Sequence, residues 1–183
     1  MKIFWVVVCV VTVGAGFASA ERIYEQLPTR YSQAVEAASV VEYLAIYDQH
    51  NPQHSERRQS ESLQVIDLYL DGQGYFTFVK VFPGQQMSAE QAKSGMALLL
   101  QGKPFWRPGA PLDKNSCIDN DFEYVFRFQG PQETVEVCLS LHCLPRVAVC
   151  SGGKGCFYRD LTAEAANGWA ELVESVTGEI PLR

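Results

Sequence analysis

The chain has no extended basic run. Arg57-Arg58 is its longest, and 21 acidic residues outweigh 15 Lys and Arg for a net charge of −6. That balance argues against nucleic acid or an anionic membrane surface as partner. Histidine is scarce: of three, His50 and His54 share one polar stretch and His142 stands alone. Gly-x-Ser-x-Gly, His-Glu-x-x-His and a phosphate-cradling glycine loop are all missing. No nucleophile, base and orienter can be assembled, so the reading is of a protein that is not an enzyme, with no catalytic residue and no cofactor. A hydrolase of unrecognised type would have to use acid pairs such as Asp119 and Asp121, and loop carboxylates are usually just hydrated. No Cys-x-x-Cys pair occurs either, which leaves a Cys/His zinc site around His142 without its usual spacing. No repeat or linker divides the chain.

What is present begins at Met1–Ala20. Lys2, the apolar run Ile3–Val13 and the small-residue pattern Ala18-Ser19-Ala20 read as a secretory signal peptide. The run is shorter than the roughly 20 residues a spanning helix needs, and no later run rivals it, so no membrane span is expected. Residues 21–183 are then expected to form one secreted, acidic, disulfide-containing domain in an oxidising compartment. Cys9 leaves with the signal, and Cys117, Cys138, Cys143, Cys150 and Cys156 remain as disulfide candidates. An odd number implies two bridges and one thiol, which could link a second chain. Cys150 and Cys156 bracket Ser-Gly-Gly-Lys-Gly, flexible enough to close a bridge. Hairpin pairing brings Cys117 towards Cys138 and makes Cys143 the odd thiol, while Cys143–Cys150 and Cys143–Cys156 stay open.

Apolar periodicity supplies the elements. Tyr31, Ala34, Val35, Ala38, Val41, Leu44 and Ala45 make one stripe, predicting a long helix from Thr29 to Gln49, stopped by Asn51-Pro52. His50–Ser62 is almost wholly polar and reads as an exposed loop, with Arg57-Arg58 a candidate processing site and His50/His54 a candidate metal pair. Leu63–Phe82 is a hairpin turning at Asp71-Gly72-Gln73-Gly74, apolar at nearly every position, as in central strands covered on both faces. Ser88–Gln91 is a capping box opening a helix that ends before Gly102 and Pro104. The irregular stretch to Asp121 holds Asp113, Asn115, Asp119 and Asp121 but lacks the calcium-loop order. Phe122–Phe128 and Val135–Leu141 form a second hairpin, with Cys138 on the face opposite Val137 and Leu139. A last helix is capped by Asp160 or Thr162, presents Leu161, Ala165, Trp169, Leu172 and Val176, and ends at Gly178 and Pro181.

The expected fold is α+β: an antiparallel sheet of about four to five strands, a long N-terminal helix packed across it, and a C-terminal helix. The helix Tyr31–Leu44, the hairpin Leu63–Phe82 and the Cys-bearing hairpin Phe122–Val149, in that order in a secreted chain, resemble the cystatin-like superfamily, including its cathelin-type prodomains. The resemblance implies an extracellular binding or regulatory domain with a protein partner. Inhibitory members wedge Gln-x-Val-x-Gly and Pro-Trp loops into a papain-like cleft. The matching positions here, Asp71–Gly74 and Gln129–Gln132, carry neither, so the non-inhibitory relatives are the better analogy. The alternative is an extracellular structural or matrix protein cross-linked through its odd cysteine.

Overall fold

The computed structural model describes residues 26–70, 75–100, 105–108, 122–142, 145–152 and 154–181. The proposed signal peptide, the Asp71–Gly74 turn, the helix stop at Gly102 and Pro104, the acidic stretch 113–121, Cys117 and Cys143 lie outside them.

The architecture is α+β. Strands β1 (Val40–Ala45), β4 (Gln85–Gln86), β6 (Tyr124–Gln129), β7 (Thr134–Ser140), β8 (Arg146–Ser151) and β9 (Lys154–Leu161) form an antiparallel sheet in the order β4-β1-β6-β7-β8-β9. A short β5 (Phe105–Pro108) runs along β9. A second, small sheet is the hairpin of β2 (Gln64–Leu70) and β3 (Tyr75–Val81). It lies over one face of the main sheet and is joined to it at two corners, by parallel pairing of Leu70 with Cys156 and by a bridge from Val81 to Ile46. Helices α1 (Thr29–Glu36), α3 (Ala89–Leu100) and α4 (Ala163–Thr177) cover the other face, while α2 (Pro52–Arg57) buries no residue.

The central strands therefore have two insides. On the helix side, Tyr31, Val35, Phe126, Phe128, Val135, Val137, Leu139, Val147, Val149, Leu99 and Trp169 form one core. On the hairpin side, Leu44, Ile66, Leu68, Val81, Phe122, Val125, Cys138, Ala148, Cys150, Cys156 and Tyr158 form another. Strand alternation does the sorting, because successive side chains leave opposite faces. All six residues of β8 are buried for this reason.

Two cores also explain where the periodicity misleads. The N-terminal helix is eight residues long and not twenty-one: α1 ends at Ala37, and Val40–Ala45 is a strand between β6 and β4. Val41 points into the helix-side core and Leu44 into the hairpin-side core. An apolar residue on each face of a strand, three positions apart, imitates a helical stripe. The polar stretch after it is not all loop. Asn51 caps α2 by accepting from the Gln53 N–H at 3.0 Å, with Pro52 in the first turn.

The hairpin β2–β3 pairs as expected but sits at the end of the strand order, with its outer face in water, and is not central. Doubly covered strands lie in β6–β9, and the β8–β9 hairpin raises the count above four or five. Register in β6–β7 pairs Phe128 with Val135 and Tyr124 with Leu139, two residues from the expected alignment. The Ser88 capping box is present: Ser88 Oγ accepts from Gln91 N at 3.2 Å, and Gln91 Oε1 from Ser88 N at 3.0 Å. Thr162, not Asp160, caps α4 through Ala165 N, and Gly178 ends it at φ 73°, a left-handed conformation that suits glycine.

Candidate binding groove

Helices α3 and α4 run antiparallel across the sheet, pinned at one end where Gln91 Nε2 donates to the Ser175 carbonyl at 2.8 Å. They touch closely at one point, since a Cβ on Gly168 would fall 2.5 Å from Leu98 Cδ2. Outside that contact lies a groove of about 790 Å³. Ser94, Ala97 and Leu98 of α3 and Gly168 of α4 are among the residues that line it. Glu90, Glu164 and Glu171 stand along it, and no Lys, Arg or His lines it among the described residues. The volume is within the range of small-ligand and peptide sites.

Electrostatics follow from the layout. Glu90 is in the first turn of α3 and Glu164 in the first turn of α4, where each helix end carries partial positive charge. Antiparallel helices set each such end beside the negative end of the neighbour, so the dipoles largely cancel and the three carboxylates set the charge of the described lining.

A second polar constellation is structural. Glu42 of β1, Arg127 of β6 and Glu136 of β7 are cross-strand neighbours. Arg127 Nε donates to Glu136 Oε1 at 3.3 Å, and Arg127 Nη1 reaches Gln64 of the hairpin at 2.8 Å. Glu42 accepts from Gln129 Nε2 at 2.7 Å. Burial holds the Glu136 carboxyl above its ordinary range, and Arg127 only partly offsets this. The ladder clamps hairpin to sheet.

Of the cysteines, Cys150 and Cys156 are bridged across the β8–β9 hairpin, with Cα atoms 4.3 Å apart. Cys138 is a free, buried thiol, which overturns the Cys117–Cys138 pairing. It does lie on the face opposite Val137 and Leu139, but that face is the second core and not the outside. Burial, helped by Glu136, pushes its thiol well up.

His142 is exposed. His54 packs against Phe82 with ring centroids 5.4 Å apart, and its Nδ1 accepts from Asp48 N at 3.0 Å, so that lone pair is already engaged. Among the described residues no three His, Cys, Asp or Glu side chains are grouped to hold a metal. Arg57 stacks over Phe82 at 4.2 Å and pairs with Glu61, and Arg58 sits over Tyr47 at 5.5 Å. The dibasic pair is thus at a packed helix end and not in an extended loop. No helix among the described residues is long and apolar enough to cross a membrane.

The groove escaped sequence reading, although its signal was available: Glu164, Gly168, Glu171 and Ser175 recur at three and four residues along the outer side of α4. No protein-family model, curated protein or solved structure matches the chain, so the groove's own geometry is the ground for reading its chemistry.

Proposed function

We propose that the protein is a secreted, non-enzymatic binding domain whose α3–α4 groove takes a short cationic segment of a protein partner. The supporting observation is the groove itself: about 790 Å³, with Glu90, Glu164 and Glu171 along it and no basic residue among the described residues that line it. Small side chains at Ser94 and Ala97 let a docked backbone approach, and the carboxylates meet Lys or Arg side chains as charge-assisted partners. The cystatin-like resemblance agrees with a non-catalytic extracellular role, without the inhibitory loops. Secretion rests on the Lys2 to Ala20 pattern.

The test is titration of the purified protein with labelled basic peptides of ten to fifteen residues, against acidic peptides of equal length. Binding of the basic peptides should weaken as salt is raised. The triple variant Glu90→Gln, Glu164→Gln, Glu171→Gln should lose at least tenfold in affinity while melting normally. Equal binding by the triple variant, or none by the wild type at low salt, refutes the reading. Intact mass of protein recovered from the medium, expected to start at Glu21, tests secretion separately.

A further inference from the structure

Four large hydrophobic side chains are exposed among the described residues, and three of them share one surface. Val65 is 57% exposed, Tyr69 50% and Phe78 52%. Val65 and Tyr69 alternate with Asp67 along β2, and Phe78 stands directly across from Asp67 on β3. Lys80 stands across from Val65, and its Nζ is 5.8 Å from the Phe78 ring. This is the outer face of the hairpin, whose inner face is filled by Ile66, Leu68 and Val81.

We infer that this face is where two copies of the protein meet in a twofold contact. The argument is one of charge. The whole chain carries −6, so two copies brought together through most of their surfaces repel. Among the described residues the hairpin face carries one acid, Asp67, and one base, Lys80, and is locally neutral. A twofold contact uses the same patch on both sides and must be self-complementary. Here Asp67 of either copy can meet Lys80 of the other, around a centre of Phe78 and Tyr69. Pairing through the free edge of β3 would leave Tyr69 in water, so the contact is facial.

Its strength is bounded by area. Each strand has seven residues. At roughly 3.3 Å per residue and about 10 Å across two strands, the face offers on the order of 230 Å² per copy. Stable partners bury about 800 Å² each. The contact is far smaller than that of a stable pair, so the dimer is weak and is populated only where the protein is concentrated.

Sedimentation velocity of the purified protein, from about 10 μM to 1 mM, reads this directly. The wild type should shift reversibly from monomer to dimer across that range, and Phe78→Lys should stay monomeric. Asp67→Lys and Lys80→Asp should each weaken the dimer by about tenfold, and the double variant should recover it. Should Phe78→Lys fold poorly, Val65→Lys serves in its place. A wild type that stays monomeric at 1 mM overturns the inference. So does a dimer indifferent to Phe78→Lys or Val65→Lys, or a double swap that fails to recover. The contact is independent of the groove, and the groove triple variant should dimerise as the wild type does.

Discussion

Replacing Cys150 and Cys156 by alanine, singly and together, tests the account of the second core. The two residues are six apart in sequence, so their bridge closes a very short loop. Chain entropy for a loop of that length gives about 2.4 kcal/mol. Both sulfurs are also buried among Leu68, Cys138 and Tyr158, and truncating each leaves a small cavity costing on the order of 1 kcal/mol. Cys150→Ala alone should therefore lose about 3.4 kcal/mol, because it breaks the bridge and opens one cavity. Adding Cys156→Ala should cost only about 1 kcal/mol more, since the bridge is already gone. For a domain of this size the single variant should melt about 7–14 °C lower. The assay is urea and thermal unfolding followed by circular dichroism. Two single losses that sum to the double would refute the reasoning, because independent effects mean that no shared bridge was being lost.

Trp169→Ala should cost about 3–5 kcal/mol in urea unfolding, since the indole is fully buried against Phe126 with centroids 5.2 Å apart. Trp169→Phe should cost markedly less, because Nε1 has no acceptor among the described residues and its loss leaves no partner unpaired. Glu136 binds its proton more readily folded than unfolded, its carboxyl being raised above 4.5 by burial. Its contribution is therefore complete below the unfolded value and is lost as pH rises through the folded one. Glu136→Gln should gain stability relative to the wild type between about pH 4 and 7, and urea midpoints that keep a constant gap across that range refute this. Cys138 should resist maleimide in the native protein and react fully in denaturant, as peptide mapping of the labelled site will report. Complete native labelling within minutes would contradict its burial.

Local chemistry was legible where a single residue pair decides the outcome. The Ser88–Gln91 box, the Thr162 cap, the Gly178 stop and the Cys150–Cys156 closure are all short-range, and all are in place. Legibility failed where a strand is buried on both sides. Val40–Ala45 has apolar residues facing two different cores, and its sequence alone cannot distinguish that from one helical stripe. The Phe157-Tyr158-Arg159-Asp160-Leu161 strand escaped for the same reason, with Phe157 in one core and Tyr158 in the other. The error at β1 also hid Glu42, and with it the Glu42–Arg127–Glu136 ladder. The groove depends on how two helices cross, which no periodicity encodes, although its small residues were in view.

The pairing of β1 with β6 fixes an order of assembly. Strands β6 to β9 are joined by successive hairpins and can pair as soon as they exist. Glu42 of β1 meets Gln129 of β6 across 87 residues of chain. At a synthesis rate of about 5–20 residues per second, β1 waits roughly 4–17 s for its partner to be made. In that interval β1 can meet β4 and, through Ile46, Val81 of the hairpin, but not Phe126 and Phe128 of the helix-side core. The four-strand meander is thus the natural nucleus, with β1 and the hairpin clamp arriving afterwards. A nascent chain arrested before residue 124 holds eight of the thirteen described elements, and neither core is complete.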